Sequence, residues 1–273
     1  MEVEQAQIDI RAAREDDLAK IIALVDSHDE DDAEAIRDSL TENQFQNHFV
    51  ATLNQEVVGI TGYEQQLDCD KTFYLSWTYV HDDHCGKGIG KQLMTYIIDE
   101  FKRHHARKVF VKISDYVDPE DGPIYETAMA LYKKFGFEEE VVLNDYYDTD
   151  ESMHILGLRI NEDYDPAPNK PEKPNLKFDG LYLISETEHS YSFSWKTTSW
   201  WKGSFSVQDV QIGLDAAYDD EAHQVFLSFP STFERACQIV EAAGFKFVGE
   251  LKDYYEDGIN ELHFVYDFRK NQN

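Results

Sequence analysis

The hydrophobic pattern of the chain changes period repeatedly, and each change marks a predicted element. Leu18, Ile21, Ile22 and Val25 recur at helical spacing behind the polar segment Arg11–Asp17. Two β-branched runs, Phe49–Leu53 and Val57–Tyr63, flank the polar turn Asn54-Gln55-Glu56 and predict a hairpin. Phe73–Val80 reads as an aromatic, β-branched strand. Leu93, Ile97, Ile98 and Phe101 return to helical spacing, and Lys108–Ile113 (KVFVKI) reads as a buried strand. Ala128, Leu131 and Tyr132 belong to a further amphipathic helix, with Gly136 where a C-terminal cap belongs. Strands and helices alternate, so an α/β chain with a mixed α+β sheet is expected.

Between the aromatic strand and the helix after it lies YLSWTYVHDDHCGKGIGKQLM, Tyr74–Met94. Gly86, Gly88 and Gly90 alternate there with Lys87 and Ile89. Glycine lets the backbone take positive φ and removes the Cβ that would hold a ligand away. A helix beginning near Ile89 aims unpaired N–H groups, and the positive end of its dipole, into the turn. Such a turn suits an anion, most naturally a phosphate. The spacing is not the G-x-G-x-x-G of a dinucleotide fold, because no third glycine follows Gly90. Nor is it a Walker loop, because Lys87 precedes Gly88 instead of leading to Ser or Thr. Taken alone, the motif leaves open a strand-to-helix turn that binds nothing.

The turn resembles the coenzyme A pyrophosphate loop of the GNAT superfamily of N-acyltransferases, Arg/Gln-x-x-Gly-x-Gly/Ala. Cys85 stands at the Arg/Gln position, Gly88 at the first glycine and Gly90 at the second. Cys85 removes a long polar side chain but leaves the backbone cradle in place. About 40 residues downstream, AMALYKKFGFEEEVVLNDYY is similar to the family's fourth-helix motif A-x-x-L-Y-x-x-x-G-F through Ala128, Leu131, Tyr132, Gly136 and Phe137. Near the N-terminus, IDIRAAREDDLAKIIALV looks like the family's first strand and helix. The resemblance implies a GNAT acyltransferase fold and an acetyl-CoA-dependent N-acetyltransferase, with acetyl-CoA as co-substrate. It implies that Cys85, Gly86, Lys87, Gly88, Ile89, Gly90 and Lys91 surround the pyrophosphate. It also implies that backbone N–H groups at Tyr79 and Val80, beside a local bulge, meet the thioester carbonyl. Tyr132 matches the acid that protonates the leaving thiolate. Many relatives carry a carboxylate on the fourth strand to deprotonate the amine, whereas Phe73–Val80 has none. Glu64, Asp115 or a chain of waters remain as substitutes. Tyr125 occupies the place of an Asn the family often keeps seven residues before the helix Tyr.

Residues 161–175, NEDYDPAPNKPEKPN, hold Pro166, Pro168, Pro171 and Pro174 among polar residues, which favours an extended, semi-rigid spacer. The chain is therefore read as a GNAT acetyltransferase domain at 1–160, a linker at 161–175 and a smaller second domain at 176–273. That second part looks like a worn copy of the first. Gly136 to Asp145 and Gly244 to Asp253 share one spacing, Asp-Tyr-Tyr recurs at 145–147 and 253–255, and Val225-Phe226-Leu227 parallels Val109-Phe110-Val111. It has no glycine loop, and Val240 stands where Tyr132 stands in the first copy. A degenerate GNAT-like domain is expected, without cofactor or chemistry, packed so as to shape the acceptor side. A homodimer surface is its alternative role.

At 273 residues the chain has ample material for two cores. No apolar run reaches the length of a membrane span, and MEVEQAQID reads as neither signal nor transit peptide, so a cytoplasmic location is expected. Cys69, Cys85 and Cys237 are scattered and odd in number, which argues against a disulfide framework. The net charge of -29 argues against nucleic acid and anionic membranes as partners. It would steer a cationic amine inward, although acidity spread over both halves is also what a solvated, self-repelling surface requires. The same two readings apply to residues 26–46 (DSHDEDDAEAIRDSLTENQFQ), where the family builds its acceptor site. His81, His84 and Cys85, with Asp82 and Asp83, are metal-capable types, but their convergence would disrupt the cradle, so no metal is expected. The favoured function is acetyl transfer to a primary amine of a small molecule, amino acid or peptide. A non-catalytic acyl-CoA-binding regulatory protein and an interaction module are the alternatives.

Overall fold

A computed structural model of the chain describes residues 8–42, 45–120, 122–161, 175–185, 187, 189–198 and 205–270. The acidic start (1–7), the core of the proline-rich linker (162–174), and Trp200 and Trp201 lie outside the described residues.

The chain opens with β1 (Asp9–Ala12), α1 (Leu18–Asp26), α2 (Glu30–Glu42), β2 (His48–Leu53), β3 (Glu56–Gln65), β4 (Thr72–Val80), α3 (Ile89–Arg103) and β5 (Lys108–Ser114). A short pairing of β6 (Val117–Asp118) with β7 (Gly122–Pro123) precedes α4 (Glu126–Lys134), β8 (Glu138–Asp148) and β9 (Glu151–Arg159). The remainder supplies β10 (Asn175–Leu183), β11 (Ser190–Thr198), α5 (Val207–Asp219), β12 (Gln224–Pro230), α6 (Glu234–Ala242), β13 (Lys246–Glu256) and β14 (Ile259–Asp267). The hairpin expected at Asn54-Gln55-Glu56 closes on Asn54 and Gln55, both with positive φ, the conformation whose twist matches that of the strands. Within the acidic segment 26–46, α2 turns Ala33, Ile36 and Leu40 onto α1 and β3, with Glu34, Asp38 and Glu42 outward and Asp32 turned inward to Tyr79. Among the described residues, no helix is long and apolar enough to cross a membrane.

Twelve strands form one sheet in the order β1-β2-β3-β4-β5-β9-β8-β13-β14-β12-β11-β10. The run β3-β4-β5-β9-β8 is met by β13-β14-β12-β11-β10, the same connectivity read outward from the middle. In each half a parallel pair is bridged by a long helix, β4-α3-β5 and β11-α5-β12, and a shorter helix leads into the closing hairpin. Registers agree as well: Val109 and Val111 face Leu158 and Leu156, while Val225 and Leu227 face Tyr266 and Phe264. The halves on either side of the proline-rich segment thus lie back to back about an approximate dyad between β8 and β13.

The seam contains little backbone pairing, with Gly249 opposite Val141 as its single register position. Side chains hold it instead. Phe110, Val141, Leu143 and Tyr146 share one buried cluster with Phe226, Leu251 and Tyr254. The fully buried Arg107 donates from Nε to Asp70 O (2.9 Å) and from Nη2 to Thr72 Oγ1 (2.9 Å) and Tyr254 O (3.2 Å). Its Nη1 donates to Asp253 O and to Asp257 Oδ1. All five donors of the guanidinium fork are used, which is the condition under which a buried cation is tolerated. Lys108 pairs with Glu140 at 2.6 Å, and Glu140 also accepts the Lys252 N–H. Both links tie the start of β5 to the β13–β14 hairpin.

Truncating Arg107 would remove its donors from the Asp70 and Asp253 carbonyls at the centre of the seam, while Asp257 keeps Arg159 and the Tyr254 carbonyl keeps Thr72 Oγ1. Arg107→Met is expected to lower the unfolding free energy by about 3–5 kcal/mol in urea titration and to expose the 253–258 turn to hydrogen exchange. A wild-type midpoint would show that the seam does not depend on this residue.

Candidate active site

The centre of the N-terminal half is set by an interruption in β4. This strand pairs with β5 only over Thr72–Tyr74, yet continues along β3 to Val80. At Trp77 φ is +45°, unfavourable for a bulky side chain, and the ladder slips so that Gly62 faces Ser76 while Ile60 faces Tyr79. Trp77 and Thr78 thus share the position opposite Thr61, a β-bulge. Beyond it β4 and β5 diverge and leave a gap in the sheet.

The bulge decides which groups face that gap. His81 donates its N–H to Val58 O (3.0 Å) on β3. Backbone groups of successive residues alternate sides on an antiparallel strand, so the N–H and C=O of Val80 turn away from β3 into the opening. The Val80 carbonyl accepts there from His28 Nε2 at 2.9 Å. By the same alternation the Tyr79 N–H points to β3. Of the two backbone N–H groups named from the sequence, that of Val80 faces the opening and that of Tyr79 faces β3.

From Val80 the chain passes through one tight turn (Asp82–His84) to Gly86 (φ +73°) and Gly88 (φ +80°), the residue that caps α3. A Cβ at either position would meet nothing within 4 Å, so glycine is required there by conformation and the space in front is open. The first N–H groups of α3, at Ile89, Gly90 and Lys91, face this concavity without intrahelical partners. Gly90 is different: a Cβ would lie 3.3 Å from Leu131 Cδ2 and 3.7 Å from Val80 Cγ2. It is the point where α3, α4 and the end of β4 meet. Lys87 folds back, with Nζ 2.6 Å from Asp83 O. Cys85 is exposed, its Sγ 3.7 Å from Val80 O, and burial and then Asp82 push its thiol up. His81 and His84 lie with ring centroids 5.8 Å apart in the same turn; among the described residues no three metal-capable side chains come together.

Tyr132 is buried on α4 against Phe137, on the same face of the sheet as α3. Burial pushes its phenol up to about 12, and Thr78 acts against this as its hydrogen-bond partner. The phenol therefore stays protonated at neutral pH. Thr78 in turn meets Thr61 Oγ1 at 2.9 Å, which fixes it beside the bulge.

The other face, beneath α1 and α2, holds a different chemistry. Tyr79 donates its hydroxyl to Asp32, and Tyr125 donates to Asp29 Oδ2 at 3.4 Å. His28 lies over Tyr79 with ring centroids 5.6 Å apart, its Nδ1 3.5 Å from Asp82. Burial, reinforced by the Asp32 charge, raises both phenols well above the usual range. Ser114 Oγ lies 2.6 Å from Glu151 Oε1. Burial pushes the Glu151 carboxyl up against that hydrogen bond, and the fields of Asp115, Asp148 and Asp29 add to the shift. The gap between β4 and β5 thus separates a cradle with a buried phenol from a face lined by carboxylates and phenols.

Two of the substitutes considered for a base fall away. Glu64 is exposed and pairs with Tyr74, six residues short of Val80 and roughly 20 Å down the strand. Asp115 is occupied by the Ser152 N–H (2.6 Å) and by His154 Nε2 (3.3 Å). Tyr125, at the place of the Asn that the resembled family often keeps, points to Asp29. His28 and Glu151 were not singled out in the sequence. They come from the α1–α2 junction and from the start of β9, and no local spacing relates them to the glycine turn.

Residues 44–139 match a family model described as an acetyltransferase (GNAT) domain. No curated protein matches the chain. Among solved structures, one from Desulfovibrio desulfuricans assigned to the GNAT acetyltransferase family is 18% identical, covers 57% of this chain and all of its own, and superposes with a TM-score of 0.51. An N-acetyltransferase from Staphylococcus aureus Mu50 is 22% identical over 57% of this chain and all of its own, with a TM-score of 0.46. A Salmonella typhimurium acetyltransferase solved with acetyl-CoA as its cofactor is 20% identical over 59% of this chain and 99% of its own, with a TM-score of 0.48. At these identities the first shows the shared fold.

The two kinds of glycine should respond differently to substitution. Gly90→Val is expected to displace Leu131 and cost about 1–3 kcal/mol by overpacking. Gly88→Ala, strained only in its backbone, should cost about 1–2 kcal/mol and leave the α3–α4 contact intact. Thermal melts and hydrogen exchange on α4 distinguish them, and equal protection of α4 in both variants would contradict the packing role of Gly90.

Proposed function

From the premise that residues 44–139 carry a GNAT acetyltransferase domain, we propose that the protein is an acetyl-CoA-dependent N-acetyltransferase acting on a primary amine. The observation that carries this reading is convergence. An open, glycine-built cradle at a helix N-terminus, a backbone N–H aimed into a gap in the sheet, and a buried protonated phenol meet around Gly90, Leu131 and Val80.

Each part has a physical task. The N–H groups of Ile89, Gly90 and Lys91, with the dipole of α3, hold a pyrophosphate without a long side chain at Cys85. Gly86 and Gly88 keep the approach clear. Bound acetyl-CoA supplies the acyl group as a thioester. The Val80 N–H stabilises negative charge developing on the thioester oxygen. Tyr132 donates to the departing sulfur as the carbon–sulfur bond breaks. The amine enters from the opposite face, where Asp29, Asp32 and Glu151 attract its charge and Tyr79 and Tyr125 flank it. That arrangement supports a cationic amine, whether on a small molecule, an amino acid or a peptide. The second half, with buried Val240 in place of the phenol and no glycine turn in its sequence, acts as a structural partner.

The direct test is thiol release from acetyl-CoA in the presence of primary amines, amino acids, polyamines and peptide N-termini. Calorimetry on the full chain should give one acetyl-CoA per chain, and Gly88→Val should weaken binding at least about tenfold, equivalent to about 1.4 kcal/mol. Two equivalents per chain would contradict the role of the second half, and unchanged binding in a folded Gly88→Val protein would remove the cradle. Tyr132→Phe keeps the ring and its packing. It is expected to lower kcat by about 10²- to 10⁴-fold while the affinity for acetyl-CoA stays at the wild-type value. An unchanged kcat would leave protonation of the thiolate to solvent.

A further inference from the structure

The last residue of β4 presents both of its backbone groups to the gap, and only one of them can help the reaction. In an extended strand the N–H and C=O of a single residue point to the same side. The Val80 N–H faces the place where negative charge would develop, and the Val80 carbonyl stands beside it with a partial negative charge of its own. Left uncapped, that carbonyl would oppose the charge that the neighbouring N–H stabilises. Among the described residues, two side chains meet it. His28 Nε2 lies at 2.9 Å and Cys85 Sγ at 3.7 Å, the thiol being a weak donor.

The imidazole reaches this carbonyl from a corner that leaves it little freedom. His28 belongs to the short link between α1 and α2, and its backbone N–H donates to Val25 O (2.8 Å), as does that of Asp29 (2.9 Å). Asp29 Oδ1 then accepts the Asp32 N–H at 3.0 Å, which fixes the start of α2. The ring packs on Tyr79 with centroids 5.6 Å apart, and Tyr79 donates its hydroxyl to Asp32 on α2. Nδ1 lies 3.5 Å from Asp82 Oδ1, in the turn that leads to Gly86. A carbonyl only accepts, so Nε2 carries a proton. The Val80–His81 peptide is thereby held from both sides, by Val58 O on the His81 N–H (3.0 Å) and by His28 on the Val80 carbonyl. β5 pairs with β4 only as far as Tyr74, so no strand takes that second place.

Resting on the acetyltransferase reading above, we propose that His28 is a positioning residue for the Val80 N–H: its Nε2 proton caps the Val80 carbonyl and fixes the peptide that follows the donor. His28 acts through Val80 and touches neither the thioester nor the amine. It also joins the two sides of the site, because one ring contacts Tyr79 beneath the α1–α2 corner and Asp82 at the entrance to the cradle. A donor released from this clamp, with an uncapped carbonyl beside it, stabilises the developing charge less and leaves ground-state binding as it was. The effect therefore falls on kcat.

The test compares wild type with His28→Ala and His28→Gln in the full chain, using the amine turned over fastest in the thiol-release panel, or acetyl-CoA hydrolysis with water as acceptor if no amine is used. The Gln amide keeps an N–H donor in reach of the carbonyl and has no basic nitrogen. His28→Ala is expected to lose at least about tenfold in kcat, with the affinity for acetyl-CoA and the amine KM at their wild-type values, and His28→Gln to recover most of that loss. Imidazole ¹⁵N spectra of the wild-type protein provide a readout that needs no turnover: Nε2 of His28 should carry a proton. These spectra and His28→Gln remain informative if His28→Ala does not fold. A His28→Gln enzyme as slow as His28→Ala would show that the basic nitrogen of the ring takes part in the chemistry, and a lone pair on Nε2 would remove the hydrogen bond. Either result, or a His28→Ala enzyme with the wild-type kcat, overturns the positioning role and leaves the acetyltransferase reading standing. A wild-type protein that neither binds acetyl-CoA nor releases thiol overturns that reading, and the role of His28 with it.

Discussion

The strand β4 cannot finish its pairing with β5, and most of the site follows from that. A central strand that leaves the ladder must find other partners for its backbone, since unpaired buried N–H and C=O groups are costly. The bulge at Trp77 resolves half of the problem by keeping β4 on β3 to its end. The other half stays open: the groups of Val80 face the gap, and His28 meets only the carbonyl. What remains is a backbone donor held rigidly in an opening of the sheet, next to the positive end of α3. The left-handed residue carries strain, and a strained backbone persists where the surrounding packing over-determines it. Here Trp77 and Tyr79 pack beneath α1 and α2 while Thr78 is pinned to Thr61 on the other face.

The second half bears on this site through the sheet. Its strands extend the same layer, and Arg107 and Glu140 fasten its β13–β14 hairpin to the start of β5, opposite the end where the strands diverge. The approximate dyad makes the arrangement reciprocal, but the chemistry is not. Arg107 has His223 as its positional counterpart, and on that side Arg269 reaches Asp145 at 2.8 Å. The β8–β9 hairpin, which carries Glu151 toward Ser114, is therefore held by a partly exposed ion pair, whereas its counterpart is held by a buried fork. Partly exposed pairs contribute little and are screened by salt, so the two hairpins differ in how firmly they are tethered.

The large negative charge has two distinct locations. Most of it lies on outward faces such as that of α2, where it is solvated and governs solubility more than fold. A small part is half-buried between the elements of the site, where each carboxylate has a named partner: Asp32 with Tyr79, Asp29 with Tyr125, Glu151 with Ser114. Bulk composition could not separate the two, because both are built from the same residue types, and in α2 they alternate within one helix.

What the sequence determined by itself is what local rules encode. Periodicity located the helices and strands, and the alternation of Gly86, Gly88 and Gly90 marked the turn, in which the structure gives positive φ to the first two. The spacing from Ala128 to Phe137 set Tyr132 on a helix that closes at Gly136. These features depend on residues a few positions apart, whose geometry the backbone imposes directly. Only the tertiary structure decided which groups meet. The bulge at Trp77 carries no local signal, because an aromatic there is an ordinary strand residue until β5 departs. Tyr125 and Glu151 reach the neighbourhood of Asp29 from segments far along the chain, 96 positions away in the case of Tyr125. The His48 ring lies over β3 only because Gly62, opposite it, lacks a side chain. Such meetings are set by strand register and by the order of strands in the sheet. Register is a property of the whole hydrophobic pattern, and a slip of one residue would turn every one of these side chains to the other face.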